Sequence, residues 1–212
     1  MEENKQHLEA LSEIRSMMEK STKFISLSGL SGVAAGIFGL LGAIAAYVYL
    51  RIDFSSDNYY DLAYNADGSR NSNFFTFFII NALTVLTLAL TFGVYFTARK
   101  AKKNNQSIWN SSSKRLLANL FLPLITGGAF CFILFYHGLI WLIAPATLIF
   151  YGLALINAGK YTLNDIRYLG VCEIILGLFS SIYIGYGLLF WALGFGVLHI
   201  IYGTLMYFKY EK

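Results

Sequence analysis

Glu173 and His199 are the residues whose type and setting could do chemistry. Each stands fourth in an octet of one pattern, Gly170-Val171-Cys172-Glu173-Ile174-Ile175-Leu176-Gly177 and Gly196-Val197-Leu198-His199-Ile200-Ile201-Tyr202-Gly203, identical at five of eight positions. A helix puts residues three and four apart on one face, so each octet presents a Gly–ionisable–Gly stripe. These two are the only acidic or basic groups deep within the apolar stretches, and ionisable groups in such a place mark functional sites by default. An isolated carboxylate in hydrocarbon is costly, so Glu173 is expected to be protonated, paired or wetted by a cavity. A hydrogen bond to His199 would satisfy both groups. With a turn at Tyr186, each lies 13 residues from that turn. At about 1.5 Å per residue this places both about 20 Å from it, at a common depth in the inner half of the membrane. Such a pair can relay protons or sense pH, because imidazole titrates near neutrality. It can equally fix helix register, as buried polar groups sometimes do.

Other candidates are weaker. Asn81, Thr84, Thr91 and Tyr95 share a helix face and are expected to turn inward, making hydrogen bonds to neighbouring helices. Asn81 and Thr84 therefore join Glu173 and His199 as a candidate intramembrane polar site. Pro123 and Pro145 fall inside apolar stretches and are expected to kink their helices. Gly29-Leu30-Ser31-Gly32 spells the GxSG of rhomboid-type intramembrane serine proteases, with His199 as the conceivable base. Ser31, however, would open the first span on the cytoplasmic side, the wrong setting for that motif. No metalloprotease, phosphate-loop or haem-ligand pattern is present, so no catalytic set, cofactor or metal site is expected. The aspartates between residues 51 and 73 match no calcium loop. Cys131 and Cys172 fall in different apolar stretches, which argues against a disulfide framework or a zinc site.

The elements that must position these groups follow from composition. Hydrophobic residues make up 57% of the chain and charged residues only 13%, about half the charged share of a soluble domain. Mean hydropathy is +0.56. Residues 24–50, 71–98 and 116–159 carry no charge, and 168–208 carries only Glu173. A transmembrane helix needs about 20 apolar residues. The expectation is therefore an all-α polytopic membrane protein of six transmembrane helices, arranged as three hairpins over 24–208. The spans fall at about 24–50, 74–98, 116–136, 139–159, 167–185 and 187–208. Residues 1–23 are too polar for a signal peptide, and 2–20 read as an amphipathic helix through Leu8, Leu11, Ile14 and Met18. That helix suits the membrane surface, a homodimer or a cytoplasmic protein partner. With both termini cytoplasmic, every Lys and Arg except Arg51 and Arg70 falls inside, as the positive-inside rule requires. The basic loop 99–115, with Trp109, reads as a contact for anionic lipid. No segment is basic enough to suggest nucleic acid.

Small residues should hold the helices together, since lipid gives little hydrophobic drive between them. Gly32 and Gly36 form a GxxxG step that Gly39 extends. Gly170 and Gly177, Gly196 and Gly203, and Gly152 and Gly159 repeat a seven-residue spacing that suggests duplication of a helical hairpin. The run Ile14-Arg15-Ser16-Met17-Met18-Glu19-Lys20-Ser21, with Phe24 and Ser28-Gly29-Leu30-Ser31-Gly32-Val33, resembles the opening of a family of uncharacterised bacterial inner-membrane proteins. That resemblance implies a bacterial inner membrane and no activity. The glycine-spaced last spans more weakly resemble the HdeD-like acid-resistance membrane proteins, which also have six spans. The expected function is a non-enzymatic sensory or accessory membrane protein. The alternative is a small proton-coupled transporter or ligand carrier using Glu173 and His199.

Overall fold

The computed structural model describes residues 23–51 and 59–212. The amphipathic helix expected at 2–20 lies outside the described residues. Among the described residues there are six long helices: α1 (Gly29–Leu50), α2 (Ser72–Lys103), α3 (Ser111–Tyr136), α4 (Ile143–Ala158), α5 (Asp165–Ile182) and α6 (Gly187–Tyr210). A 3₁₀ turn, Ile140–Leu142, leads into α4. Among the described residues five helices are long and apolar enough to cross a membrane: α1, α2, α3, α4 with its 3₁₀ turn, and α6. α5 is 18 residues long and carries Asp165, Arg167 and Glu173. On α2, Ile79, Ile80, Leu83, Leu86, Leu90 and Val94 are each more than half exposed. An apolar face of that extent fits a hydrocarbon solvent.

α1 packs with α2 and α3 with α4, as expected of hairpins; α5 and α6 also touch, but each packs more closely on another helix. In space the helices run α2, α1, α6 and then α5, α4, α3. α5 lies against α4 and α6 lies against α1, and the reason is glycine. A methyl placed at Gly36 would lie 2.7 Å from the Gly196 carbonyl oxygen, and one at Gly32 would lie 3.1 Å from the Gly203 Cα. Gly39 faces the Phe195 carbonyl, Gly196 faces Leu40, and Gly203 faces the Val33 amide. In the second seam Gly170 lies against the Gly152 carbonyl, and Gly177 lies against Ile149 and the Pro145 carbonyl. The two octets therefore do not bind their helices to each other. Each packs on a helix earlier in the chain, with backbone against backbone, where dispersion contacts are densest.

The two ends of the bundle are closed differently. At the first, here the basic end, residues 24–28 are not helical, so α1 starts at Gly29 and not at Phe24. Phe24 N–H donates to the Tyr161 carbonyl at 2.8 Å, Thr162 Oγ1 donates to the Phe24 carbonyl at 2.6 Å, and Lys100 Nζ donates to the Leu27 carbonyl at 2.7 Å. Glu211, next to the C-terminus, accepts from the Gly29 amide and from Ser28 Oγ. A carboxylate there complements the positive pole of α1. Lys100 lies 3.6 Å from the same carboxylate. It is buried, so it is not free for lipid as the reading of loop 99–115 had it, whereas Arg99, Lys102, Lys103, Lys114 and Arg115 are exposed. Asp165 and Lys209 pair at 2.8 Å and tie the start of α5 to the end of α6.

At the other end, here the tyrosine end, a 3₁₀ turn (Tyr59–Ala63) folds back onto the helices. Tyr59, Leu50, Ala63, Phe74 and Ile140 bury one another there. Tyr59 donates to Tyr60 at 2.7 Å and accepts from the Leu188 amide at 3.2 Å, while Tyr64 donates to the Gly138 carbonyl. Arg70 caps the negative pole of α3, donating to the Phe135 and Tyr136 carbonyls at 3.1 and 2.8 Å.

The two prolines are not equivalent. Pro145 is the third residue of α4, within the first turn, where an N–H has no intrahelical acceptor. The kink expected there is replaced by a helix start. Pro123 lies inside α3 and withdraws the N–H that would bond the Asn119 carbonyl. Asn157 of α4 fills the gap, with Nδ2 donating to that carbonyl at 2.9 Å.

Two stability measurements in bicelles check this packing. Asn157→Ala is expected to cost about 1 kcal/mol. Most of that loss should vanish in the Pro123→Ala background, where the backbone N–H returns, and additive losses would refute the repair. Gly203→Ala should cost about 1–3 kcal/mol by overpacking, because its methyl would strike the backbone of α1. Gly93→Ala, which meets nothing within 4 Å, should be neutral or slightly stabilising.

Candidate functional site

α4, α5 and α6 each bring one polar side chain to a common point near their centres. Tyr151 is in the middle of α4, Glu173 in the middle of α5 and His199 in the middle of α6. Tyr151 Oη stands 2.7 Å from His199 Nε2, and His199 Nδ1 stands 3.4 Å from Glu173 Oε1. The structure therefore brings Glu173 and His199 together, and it adds Tyr151 as a third member. Glu173 is fully enclosed and His199 is 5% exposed. Phe195 lies flat beside the imidazole, with ring centres 5.9 Å apart, and Leu148 of α4 borders Gly194 as the carboxyl does.

The backbone of α6 is shaped for this contact. Residues Ala192–Leu198 form a π-helical segment, a rare local geometry that is frequent at functional sites. The Gly194 carbonyl, five residues before His199, accepts from His199 Nδ1 at 2.9 Å. A carbonyl can only accept, so Nδ1 carries a hydrogen. In the neutral ring Nε2 then accepts from the Tyr151 phenol. Gly194 also makes room for the carboxyl, because a methyl there would lie 2.5 Å from Glu173 Oε2. A side chain at Gly194 would require the Glu173 carboxyl and the Leu148 side chain to shift.

Glu173 is less well provided for. Neither of its carboxyl oxygens has a hydrogen-bond partner among the described residues. The 3.4 Å approach to Nδ1 exceeds a normal hydrogen bond, and the Nδ1 hydrogen is directed to Gly194 as well. Most buried polar groups in proteins are satisfied, and a carboxyl that is not is a strained element. The arrangement stands ready to hold one proton in either of two places. With a neutral imidazole the carboxyl is a neutral acid. With an imidazolium the Nδ1 hydrogen faces a carboxylate, and Nε2 donates to the Tyr151 oxygen.

The other sequence candidates lie elsewhere. Asn81 does turn inward, donating to the Gly42 carbonyl of α1 at 3.0 Å. Thr84 does not join it. Thr84 is exposed and donates to its own helix at the Ile80 carbonyl, as Thr91 does to Thr87. A threonine hydroxyl needs no neighbour when the carbonyl four residues back is within reach, so the inward polar stripe shrinks to one asparagine. Ser31 donates to the Ser28 carbonyl in the first turn of α1, while both imidazole nitrogens are engaged with Tyr151 and Gly194. Ser31 and His199 therefore do not pair with each other. Tyr151 and Gly194 were missed. One signal for Gly194 was available, namely a glycine one π turn before the only histidine within a span. Tyr151 had no signal beyond its place beside Gly152.

Compared with known proteins, the chain matches no family model, no curated protein and no solved structure.

Nitrogen-15 NMR of histidine-labelled protein in lipid tests the hydrogen assignment. His199 Nδ1 is expected to be protonated throughout, and Tyr151→Phe should shift the Nε2 resonance while leaving Nδ1–H in place. A bare Nδ1 would contradict the bond to Gly194.

Proposed function

We propose that this chain is a non-enzymatic sensory or accessory protein of a bacterial inner membrane, and that its working group is the proton-holding set Tyr151, His199 and Glu173. The observation that carries this reading is the Glu173 carboxyl, fully enclosed, without a hydrogen-bond partner among the described residues and 3.4 Å from an imidazole nitrogen. A contact that served only to lock helix register would be better made by groups that satisfy each other. Glutamate and histidine placed this way differ in hydrogen bonding between two proton distributions. That difference reaches the backbone through the Gly194 carbonyl in the π-helical segment.

The reading carries a topology. α5 counts as a sixth span, and the basic end faces the cytoplasm. This places Lys23, Arg99, Lys102, Lys103, Lys114, Arg115, Lys160, Arg167, Lys209 and Lys212 on one side, in accord with the positive-inside rule. Exposed Trp109, with Lys114 Nζ 5.7 Å from its ring, suits a headgroup region. We assign the exposed bases of loop 99–115 to anionic lipid. Residues 2–20 remain the surface for a homodimer or a cytoplasmic partner.

A second reading, a proton-coupled carrier, draws support from the π-helical segment, because an irregular turn at mid-span is a place where a helix can rearrange. One experiment serves both readings. The pH-difference infrared spectrum of lipid-reconstituted protein is expected to show a carboxylic-acid band that is absent in Glu173→Gln and shifted in Tyr151→Phe. A spectrum unchanged by Glu173→Gln would remove the proton site. In the same vesicles a pH dye reads flux. Proton flux lost in Glu173→Gln would establish the carrier, and a proton-tight membrane with the band intact would leave the sensor.

A further inference from the structure

We infer that the cleft between α2 and α3 holds one acyl chain of an anionic phospholipid, whose headgroup sits on the exposed bases of loop 99–115. The inference rests on the lipid reading of that loop proposed above and adds where the tail of the lipid goes.

α2 and α3 follow each other in the chain, joined by the short connection 104–110. Antiparallel helices with so short a link normally lie side by side. These do not. Among the described residues α2 packs on α1 and α3 packs on α4, and α2 and α3 do not pack together along their length. They meet again at the tyrosine end, where the rings of Phe75 and Phe135 are 5.0 Å apart and Arg70 reaches the last carbonyls of α3. The two helices are thus tied at both ends and parted between.

The side chains that face the gap follow from the contact of Phe75 with Phe135. Steps of four and three residues stay on one helix face. From Phe75 that face of α2 runs through Ile79 and Leu86 to Gly93, and from Phe135 the matching face of α3 runs back through Gly128 to Phe121. Ile79 and Leu86 are each 54% exposed, and Phe121 is 49% exposed. A methyl at Gly93 or Gly128 would meet nothing within 4 Å, whereas the glycines of the α1–α6 and α4–α5 seams lie against a neighbouring backbone. In a membrane a cleft with such walls opens to hydrocarbon.

Two features select the occupant. The first is closure. A helix crossing the membrane here would have to pass the connection at one end and the Phe75–Phe135 contact at the other, whereas an acyl chain enters from the side. The second is charge. Lys102 and Lys103 end α2, Lys114 and Arg115 lie in the first turns of α3, and all four are exposed at one mouth of the cleft. A phosphate held there is of complementary sign. Gly93 lies about 15 Å from Lys103 along α2, and Phe121 about 10 Å from Lys114 along α3. One leaflet's hydrocarbon is about 15 Å deep, so a tail anchored at these bases runs between Gly93 and Phe121.

The test is native mass spectrometry of the full chain in detergent, with phosphatidylglycerol or phosphatidylcholine of the same acyl chains added in steps. One phosphatidylglycerol should stay bound per chain, about tenfold or more tighter than phosphatidylcholine. Gly93→Leu fills the cleft without striking protein and should weaken phosphatidylglycerol about tenfold by taking the space of its tail. Phe121→Trp, on the opposite wall, should act in the same direction. Thr91→Leu, at the same depth on another exposed face of α2, should change nothing. Equal affinity for the two lipids, or an affinity that neither cleft variant lowers, overturns the cleft. Replacing Lys102, Lys103, Lys114 and Arg115 with glutamine separates the two readings. Loss of phosphatidylglycerol in that variant alone keeps the loop as a lipid contact and removes the cleft, and no loss in any variant removes the loop contact as well. A dimer that Gly93→Leu dissociates would put a second copy of the chain in place of the lipid.

Discussion

The bundle depends on the closeness of two helix pairs, α1 with α6 and α4 with α5. In hydrocarbon the chain gains little from hiding apolar side chains, because lipid is as apolar as leucine. What remains is dispersion between atoms at contact distance, and that grows when backbones meet without side chains between them. Gly32, Gly36, Gly196 and Gly203 produce this on one side, and Gly152, Gly170 and Gly177 on the other. Once α6 is held on α1 and α5 on α4, the faces of α5 and α6 that carry Glu173 and His199 turn toward each other. The glycine seams are therefore what aim the polar pair.

A second constraint acts on every polar atom in the membrane, which must find its partner within the protein. The chain meets it by lending groups between helices. Asn157 supplies Asn119 with the donor that Pro123 withholds, and Asn81 reaches the Gly42 carbonyl. Helix ends are treated alike. Arg70 meets the exposed carbonyls of α3 and Glu211 the exposed amides of α1, each with the sign that the helix dipole favours. Because the borrowed groups come from elements far apart in sequence, these bonds also fix how the pieces sit on one another.

How much of this could be read from the residues alone follows from which forces are local. Apolar length and helical period belong to single segments, so the helices and the weight of Glu173 and His199 were legible. Which face meets which neighbour is a property of pairs. The glycine octets could be recognised as packing faces, and their similarity suggested a duplicated hairpin, but nothing in them says that each packs on a glycine face of another helix. Thr84 looked like a partner-seeking group because its ability to bond its own helix is invisible in a stripe diagram. Pro145 read as a kink because its place relative to the helix start depends on the 3₁₀ turn before it. Tyr151 became visible only when α4 was set against α6.

Against this background of satisfied groups Glu173 stands apart. A chain that provides a donor for a single proline-freed carbonyl leaves a whole carboxyl without one among the described residues, at the most enclosed position of α5. Its neighbours make the contrast sharper. Gly194 gives up a side chain to admit the carboxyl, and the π-helical segment turns a carbonyl toward the same imidazole nitrogen that the carboxyl approaches. Two acceptors then compete for one Nδ1 hydrogen, and the competition resolves differently for each placement of the proton. The local strain is of the kind that persists only where surrounding structure over-determines it. Here the surrounding structure is the pair of glycine seams, which hold α5 and α6 at a distance set by backbone contact rather than by the comfort of Glu173. The rigidity of the frame thus keeps the carboxyl short of a full hydrogen bond. Moving the proton between carboxyl and imidazole would change which acceptor the Nδ1 hydrogen serves.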